Sequence, residues 1–316
     1  MLEQSRRDHT ILAIEEPEAH LHPHLQRSVY RHLFETIGGE THALSIFLTT
    51  HSPHIASVAP LLSLVLVKDT LENGSVGRST ASINFGEDEV DDLTRYLDVT
   101  RAEILFARGV MLVEGDAERF LVPEFAKMLG TPLDPLGISI CSVSGTNFEP
   151  YAKLLTALGI PFAIVTDWDP RSGHRRPLGY NRTLDLVAVI EQTRTGEEPD
   201  DLIDELREIT DYSVFCDRCE EFGIFSNYTT LEIDLFKEGY ADAIIETLRE
   251  TNFGRERSAL IDRWEEDNST LDSQALLSMI DDIGKGRFAQ RLALRVGRLR
   301  VPHYIEAAIA FVAERV

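Results

Sequence analysis

Short apolar runs alternate with longer amphipathic segments along the chain; the runs predict strands and the segments predict helices. The alternation occurs twice, first across residues 8–68 and again from Arg108 onward. This pattern is typical of α/β folds in which helices flank a mostly parallel sheet. The predicted strands cover residues 10–14, 44–49, 62–67, 110–113, 137–143 and 161–166, and the longer helices cover residues 24–37, 117–129 and 148–158.

Changes in this pattern predict where the chain divides. Residues 69–92 interrupt the first series with the turn signal Asn73-Gly74 and an acidic run. After residue 170 the pattern is helical and rich in Asp and Glu, then strand-like at residues 222–226 and 230–235, then helical again. We expect part of one α/β domain at 1–92, a linker at 93–107, a second α/β core at 108–240 with a helical insertion at about 171–220, and a helical C-terminal part at 241–316.

Composition indicates a folded chain from a reducing compartment. Of the 316 residues, 43% are hydrophobic, an ordinary share for a globular protein. No apolar stretch approaches the ~18 residues that span a bilayer, and the N-terminus lacks the apolar centre of a signal peptide. The three cysteines cannot form a disulfide framework, and Cys216 and Cys219 lack the second ligand pair of a structural zinc site. We therefore expect a cytoplasmic protein without a membrane partner.

The charge distribution is uneven. A formal net charge of −22 argues against a chain that coats nucleic acid with its whole surface. The segment 284–300 nevertheless carries six basic residues and no acidic one, which makes it a candidate phosphate-binding face. Its residues Lys285, Arg287, Arg291 and Arg295 are the predicted DNA contacts, and Arg298 and Arg300 complete the segment.

Two of the apolar runs end abruptly in carboxylates, which predicts a site at one edge of a sheet. The acids that follow these runs are Glu114, Glu118, Asp167 and Asp169. Apolar runs this short are typical of buried parallel strands, and α/β folds place ligand sites at the carboxyl ends of such strands. Carboxylates gathered there repel one another unless cations neutralise them, and oxygen ligands suit Mg²⁺ or Mn²⁺. Two ions ~3.5–4 Å apart would support phosphodiester cleavage.

A different acid pair, Glu15 and Glu16, follows the first predicted strand, and His51 follows the second. In nucleotide hydrolysis, acids placed in this way hold Mg²⁺ and polarise the attacking water. The strings IEEPEAHLHP and TTHSPH resemble the Walker B, D-loop and switch segments of ABC-type ATPase heads. That resemblance implies a nucleotide site of Glu15, Glu16 and His51. It also favours D-loop and helix-start positions over metal ligation for His20, His22 and His24.

This nucleotide site is incomplete in the sequence. The sequence contains no GxxxxGK[ST] phosphate loop. The string Gly284-Lys285-Gly286 contains a Gly-Lys pair but lacks the hydroxyl residue that must follow the lysine. We expect the chain to be the C-terminal part of a longer ATPase, with a degenerate descendant of such an ATPase as the alternative, and to show no ATPase activity by itself. The missing N-terminal ATPase half is then a partner, ATP is a cofactor only of the full-length protein, and dimerisation through the ATPase heads is an expectation from the resemblance.

The second acidic constellation resembles a Toprim domain, the catalytic fold of topoisomerases, primases and certain nucleases. Glu114 matches the strand-end glutamate of that fold, and Asp167 and Asp169 match its Asp-x-Asp. Ser144, which follows the middle strand, matches a small Ser/Gly segment beside the acids, although its part in the site stays open. Glu118 has no counterpart in topoisomerases and primases, which favours the nuclease branch.

An ABC-type segment followed by a Toprim domain resembles the architecture of the OLD (overcoming lysogenisation defect) nucleases over nearly the whole chain. The resemblance implies that Glu232 joins the metal ligands and that Lys285 supplies a cation for the transition state. A solvated strand position is the alternative for Glu232.

The function expected from these features is cleavage of DNA by a two-metal mechanism, with Mg²⁺ or Mn²⁺ as the cofactor and an ATPase domain as the regulator. Two alternatives stay open. One is a non-catalytic module of an ATPase that binds DNA or oligomerises, and the other is primase-like nucleotidyl transfer on the same fold.

Overall fold

A computed structural model describes residues 10–37, 44–70, 74–97, 101–171, 176–297 and 299–316 of the chain. The strands are β1 (Thr10–Glu15), β2 (Leu44–Thr49), β3 (Val65–Thr70), β4 (Gly74–Ser79), β5 (Gly109–Val113), β6 (Ile138–Ser142), β7 (Phe162–Thr166) and β8 (Ile224–Ser226). The helices are α1 (Pro23–Ile37), α2 (Pro53–Ala56), α3 (Glu87–Tyr96), α4 (Asp116–Met128), α5 (Leu133–Leu136), α6 (Glu149–Leu158), α7 (Leu178–Thr195), α8 (Asp200–Glu208), α9 (Tyr212–Glu220), α10 (Leu231–Leu235), α11 (Ala241–Arg249), α12 (Arg255–Glu266), α13 (Ser273–Ile283), α14 (Lys285–Leu292) and α15 (His303–Ala313).

The chain forms two compact units, Met1–Phe106 and Ala107–Val316. The predicted linker 93–107 contains the end of α3 and a 3₁₀ turn at Ala102–Leu105, and its residues 98–100 lie outside the described part of the chain. The finer domain boundaries stay a prediction.

The first unit contains two pairs of strands. β1 and β2 pair in parallel, as predicted, with Glu15 opposite Thr49. The prediction that residues 62–67 continue this parallel arrangement is wrong, because β3 pairs antiparallel with β4. Only three residues separate these strands, whereas a parallel connection needs a dozen or more. Of the predicted turn Asn73-Gly74, Asn73 lies outside the described residues and Gly74 adopts a positive φ of 66°.

The second unit is built on a four-stranded sheet with the order β6-β5-β7-β8, in which every pair is parallel. All residues of β5 and β7 are buried. Alternate residues of β5 face opposite sides of the sheet: Met111 and Val113 join the main core with α4 and α15, whereas Leu112 is buried outside that cluster. Burial on both faces explains why the sequence shows uninterrupted apolar runs here.

Helices cover this sheet and complete the unit. α15 packs against β5, β7 and β8, while α4 packs against α14 and α15. α7, α8 and α9 lie within residues 171–220, and helices follow from α10 to α15. The predicted class, an α/β fold with a parallel sheet flanked by helices, is confirmed.

The predicted strand at residues 230–235 is wrong, because Leu231–Leu235 forms helix α10. Glu232 and Asp234 alternate with apolar residues there, and this alternation is typical of a half-buried strand. In the structure all five residues are buried, and the Asp234 carboxylate accepts hydrogen bonds from the backbone N–H groups of Tyr228 and Thr229. Both acids are thus buried, Asp234 with internal hydrogen-bond donors, although the alternation had suggested that they face solvent.

None of the described helices has the length and apolar character needed to cross a membrane. No disulfide joins Cys141, Cys216 or Cys219, all of which the structure describes, and Cys141 and Cys219 are buried.

Gly223, directly before β8, lies where the chain comes very close to the start of β7. Its φ is +79°, and an added Cβ would lie 2.8 Å from the Phe162 carbonyl oxygen. Gly196 has nearly the same φ, +80°, but open space around the Cβ position. Gly223→Ala should therefore destabilise the chain by about 1–3 kcal/mol more than Gly196→Ala does.

Urea unfolding measures this difference, because the chain's two tryptophans, Trp168 and Trp264, both report on the second unit. Equal losses in the two variants would show that backbone conformation alone, and not close packing, selects glycine at position 223.

Candidate functional site: an acidic cavity at the carboxyl edge of the sheet

Strand register places Glu114 at the centre of the carboxyl edge. Val113 lies opposite Ser142 on one side and Val165 on the other, so Glu114 emerges beside Thr166. The Thr166 hydroxyl donates to Glu114 Oε1 at 2.5 Å, and the Asp167 N–H donates to the same oxygen at 2.8 Å. These two donors fix the position of Glu114 Oε1.

Glu118 enters the same space from the first turn of α4. Its Oε2 accepts a hydrogen bond from the Gly115 N–H at 3.1 Å, which caps the start of the helix. The side chain is buried, with 7% of its surface exposed. Loss of hydration raises the pKa of Glu118 to about 7, and the negative charges of Glu232 and Glu114 contribute to the rise.

Asp167, which follows β7, is held by donors from the β8–α10 region. Its Oδ1 accepts hydrogen bonds from the Asn227 side-chain amide and from the Leu231 N–H, the latter at 3.1 Å. Burial raises the pKa of Asp167 well above its ordinary value, and Glu114 and Glu118 raise it further, while the Asn227 hydrogen bond opposes the rise. Hydrogen bonds therefore hold the Asp167 carboxylate in place, but they do not fully offset the cost of its negative charge.

Glu232 and Lys285 close the far side of the site. Glu232 is 3% exposed, and its Oε2 has no hydrogen-bond partner among the described residues. The Lys285 ammonium lies 4.0 Å from Glu232 Oε1, and 54% of its side-chain surface is exposed. The charge of Glu232 is the main cause of a raised Lys285 pKa, so the ammonium stays protonated at neutral pH.

The two glycines around Lys285 explain its position. Gly284 has a φ of +90°, which favours glycine. A Cβ on Gly286 would lie 3.0 Å from Asp116 Cβ, so the absence of a side chain lets α14 approach the start of α4. The Gly-Lys-Gly string thus serves close helix packing beside the acids.

These side chains border one cavity of about 330 Å³. Among its lining residues are the predicted site residues Glu114, Glu118, Ser144, Asp167, Glu232 and Lys285. The structure therefore brings together six of the predicted residues, although Glu232 comes from a helix and not from the strand end expected for it.

Asp169 is placed differently. The sequence puts Asp167 and Asp169 together at an extended strand end, where residues two apart share one side. This expectation is wrong for Asp169, which adopts a left-handed φ of +52°. Its Oδ2 lies 3.1 Å from an Arg182 guanidinium nitrogen, and among the described residues it is not part of the cavity lining. Its assignment as a metal ligand stays a prediction.

The donor set of the cavity suits a hard divalent cation. Within the described residues, no three acidic, histidine or cysteine side chains are already grouped tightly enough to hold an ion. The hydrogen bonds above explain this, because Glu114, Glu118 and Asp167 each turn an oxygen toward a nearby donor. The unpartnered Glu232 Oε2 and the poorly hydrated acids beside it nevertheless fit Mg²⁺ or Mn²⁺, which prefer oxygen ligands.

Backbone strain coincides with predicted site residues. Among the described residues other than glycine, positive φ occurs at Glu16 (41°), Ser144 (58°) and Asp169 (52°). Such conformations cost energy and cluster at functional sites. This strain was not readable from the sequence.

In the first unit, the parallel pairing of β1 and β2 brings Glu16 and His51 together. His51 Nε2 lies 3.5 Å from Glu16 Oε1, and both side chains are exposed. Sequence analysis missed Glu18, whose Oε1 accepts hydrogen bonds from the Thr50 hydroxyl at 2.8 Å and from the His51 N–H at 2.7 Å.

The other predicted residues of this unit lie close by along the chain. Glu15 is the exposed last residue of β1. The His22 and His24 rings stack with their centroids 5.7 Å apart.

Two arginines of the basic segment 284–300 pair with acids of α11 or the residue that follows it. Arg291 lies 3.4 Å from Glu250, and Arg295 lies 2.5 Å from Glu250 and 3.4 Å from Glu246. Arg287 is exposed, one helical position beyond Gly286, and Arg298 lies outside the described residues. The pairs with Glu246 and Glu250 were hidden from sequence analysis by the distance along the chain.

Sequence analysis also missed Asn227 and Arg182. Asn227 follows β8 at the same edge as the acids, so its position after a strand was a usable signal. Arg182 lies on α7 and contacts the carboxylates of Glu114 and Asp169. No sequence signal marked it among the chain's many arginines.

Comparison with known families matches both parts of the chain. A family model described as "Overcoming lysogenization defect protein-like, TOPRIM domain" matches residues 105–169. A model described as "AAA ATPase domain" matches residues 2–56.

Curated relatives include proteins named as nucleases. Endonuclease GajA of Bacillus cereus (strain VD045) is 31% identical over 182 residues, covering 56% of this chain and 30% of that protein. The OLD nuclease of Thermus scotoductus (strain ATCC 700910 / SA-01) is 34% identical over 161 residues, covering 49% of this chain and 30% of that protein. The chain thus spans about a third of the length of these relatives.

Solved structures give higher identity. The C-terminal region of the Burkholderia pseudomallei OLD protein is 42% identical, with a TM-score of 0.57, and the match covers 66% of this chain and 98% of that one. The corresponding region of the Xanthomonas campestris pv. campestris OLD protein, phased with platinum, is also 42% identical, with a TM-score of 0.57 and coverage of 67% and 95%.

The pKa of Glu118 predicts a pH effect on stability in the absence of metal ions. The folded-state pKa of Glu118, about 7, exceeds its ordinary value of 4.5, so the folded state binds this proton more tightly than the unfolded state. The resulting contribution to the free energy of unfolding is complete below about pH 4.5. That contribution is lost as the pH rises to about 7 and beyond. Relative to Glu118→Gln, which stays neutral, the wild-type chain should lose on the order of 3 kcal/mol between pH 4.5 and 8.

Urea unfolding in a chelator, followed by tryptophan fluorescence at several pH values, measures this difference. Glu114, Asp167, Glu232 and Lys285 are present in both chains, so the difference between the curves reports Glu118 together with its effect on the pKa of Asp167. Parallel pH curves for the two chains would contradict the raised pKa.

Proposed function

The chain belongs to the family of OLD (overcoming lysogenization defect) proteins, and from that premise we propose that it carries a DNA endonuclease centre that requires Mg²⁺ or Mn²⁺. Two of its relatives are named as nucleases, which supports a nuclease as the broad class. The dependence on divalent metal, the DNA substrate and the two-metal mechanism are parts of the proposal.

The observation that carries the proposal is the convergence of two buried and two half-buried acids with one lysine at a single cavity. Glu114, Glu118, Asp167 and Glu232 line a single cavity, and Lys285 stands at the same cavity. Acids that serve only to cap helices or to pair on the surface do not need to be gathered in a poorly hydrated space. A divalent cation removes the repulsion that this gathering creates.

We assign the ion to the four cavity acids, with Ser144 and Asp169 as further ligands of a second ion. When bound, such an ion lowers the pKa of water and stabilises negative charge on phosphate oxygens. The protein's own part is to hold its ligands in place. Thr166 fixes Glu114, Asn227 fixes Asp167, and the Gly115 N–H fixes Glu118.

Lys285 has the charge and exposure to bind the scissile phosphate. Its ammonium is positively charged at neutral pH, the charge of Glu232 raises its pKa further, and about half of the side chain is open to solvent. A cation at this place would stabilise the charge that develops on a phosphate oxygen during cleavage. Arg287, exposed on the same helix, is proposed to contact the DNA backbone, whereas Arg291 and Arg295 are already paired with acids.

For the first unit we propose the nucleotide-contacting role expected from its motifs. Glu16 and His51 lie within 3.5 Å of each other, and Glu18 holds the turn that presents His51. Regulation of cleavage by ATP, dimerisation through ATPase heads and a cytoplasmic location belong to the same proposal and concern the full-length protein.

Neutralising the central acids should abolish cleavage. Glu114→Gln and Asp167→Asn each remove a proposed ligand, and we expect nicking of supercoiled plasmid with Mn²⁺ to fall at least about 100-fold. Asp204→Asn, on the exposed face of α8, is the matched control and should cut like the wild-type chain. Tryptophan fluorescence checks that all three variants remain folded.

Wild-type rates in Glu114→Gln or Asp167→Asn would remove these residues from the site. If the wild-type chain and the full-length protein both left supercoiled and linear DNA intact with either ion, the nuclease proposal would be wrong.

Lys285→Ala should separate catalysis from binding. Because the ammonium is proposed to stabilise the transition state, the cleavage rate should fall at least about tenfold while the dissociation constant for DNA rises less than about threefold. Arg287→Ala is the comparison, with its larger effect expected on DNA affinity. Measured in the same assays, equal losses of rate and affinity in Lys285→Ala would reduce Lys285 to a phosphate-binding contact.

A further inference from the structure

Arg182 forms the most enclosed ion pairs of the acidic site. Its guanidinium nitrogen Nη2 lies 3.3 Å from Glu114 Oε1 and 3.1 Å from Asp169 Oδ2, and only 13% of the side-chain surface is exposed. The same nitrogen donates to the Asp167 backbone carbonyl. One positive charge therefore joins three points of the two strand-end motifs.

The start of α7 is built to deliver this arginine. The Leu178 N–H donates to the Asp169 carbonyl at 3.1 Å, and the Gly179 N–H donates to the Trp168 carbonyl at 3.0 Å. A Cβ on Gly179 would lie 2.8 Å from the carbonyl oxygens of both Asp167 and Trp168, so only glycine permits this approach. Arg182, one turn later, is then carried back to the acids.

Trp168 strengthens this docking from the other side. Its ring packs edge-on against Tyr180 and Tyr212, with centroids 6.3 Å and 4.7 Å apart. The loop between the two aspartates is thus fixed both by backbone hydrogen bonds and by aromatic packing. The fold therefore sets the approach to the acids of Arg182, which is mostly buried and not part of a loose surface pair.

The charges in contact with Arg182 are those that the proposed metal ions require. Glu114 is the central acid of the cavity, and Asp169 is the second acid of the Asp-x-Asp motif. A guanidinium and a divalent cation cannot both take full advantage of the same carboxylates. Each lowers the repulsion among the acids, so each reduces what the other gains by binding.

We propose that Arg182 is an internal counter-ion that competes with the divalent cation for Glu114 and Asp169. This inference rests on the proposed metal-dependent function. Without an ion, Arg182 stabilises the clustered acids and keeps Asp169 turned away from the cavity. When an ion binds, the contacts of Arg182 with these carboxylates weaken, and Asp169 becomes available as a ligand.

Competition and simple positioning predict opposite changes in metal affinity when Arg182 is removed. If Arg182 only orients the ligands, its removal loosens them and weakens metal binding. If it competes, its removal leaves uncompensated negative charge, which destabilises the ion-free fold but strengthens metal binding. A purely structural role does not give both changes together.

Mn²⁺ alone, titrated calorimetrically into the 316-residue chain without DNA, gives the required affinities. Salt at about 0.15 M suppresses binding to exposed carboxylates. The variants are Arg182→Gln, which removes the charge, and Arg182→Lys, which keeps the charge but loses the planar guanidinium. Arg194→Gln is the matched control, because Arg194 lies on the same helix and pairs with Glu191 away from the acids.

We expect Arg182→Gln to bind Mn²⁺ at least about fivefold more tightly than the wild-type chain, with Arg182→Lys in between and Arg194→Gln within about twofold of wild type. The ion-free melting temperature should fall in Arg182→Gln, and its increase on addition of Mn²⁺ should exceed that of the wild-type chain. If Arg182→Gln does not fold without an ion, the comparison of Arg182→Lys with wild type decides the sign.

Weaker or unchanged Mn²⁺ binding in the Arg182 variants, with binding by the wild-type chain intact, would overturn the competition and leave the proposed function standing. Failure of the wild-type chain to bind Mn²⁺ at a site sensitive to Glu114→Gln would overturn the metal-dependent function itself, and the competition with it.

Discussion

Mutual repulsion among poorly hydrated carboxylates is the constraint on which the second unit depends. The parallel sheet places Glu114 and Asp167 at its carboxyl edge. Helices α4 and α10 add Glu118 and Glu232 to the same cavity. Gathering these charges costs free energy, as the raised pKa of Glu118 records. A fold keeps such an arrangement when a cation makes use of it.

The surrounding structure offsets part of this repulsion with hydrogen-bond donors and positive charges beside the acids. Thr166 and Asn227 occupy the positions next to the acids along the sheet edge, and Arg182 and Lys285 bring positive charge from two helices. Glycines at positions 179 and 286 allow those helices to approach closely. α7 and α14 therefore contribute side chains to the acidic site.

The sequence predicted what depends on local patterns and missed what depends on distant contacts. Uninterrupted apolar runs predicted β5 and β7 because both are buried on two faces, and the acids after them predicted the cavity. The resemblance to the OLD family is confirmed by the 42% identity to two solved relatives. Glu232 was assigned to the site by resemblance but to the wrong secondary structure, because buried acids in α10 imitated a strand. The roles of Arg182 and Asn227, and the pairing of Arg291 and Arg295 with Glu246 and Glu250, were not predictable, since each partner is distant along the chain.

The central claim is that the cavity between Glu114, Glu118, Asp167 and Glu232 holds a divalent cation. Crystals of the chain soaked in Mn²⁺, with anomalous diffraction data collected above the manganese absorption edge, test it most directly. The account predicts a strong anomalous peak within coordination distance of Glu114 and Asp167 oxygens, in the cavity that Lys285 borders. Peaks only elsewhere on this acidic surface, with none in the cavity, would contradict it.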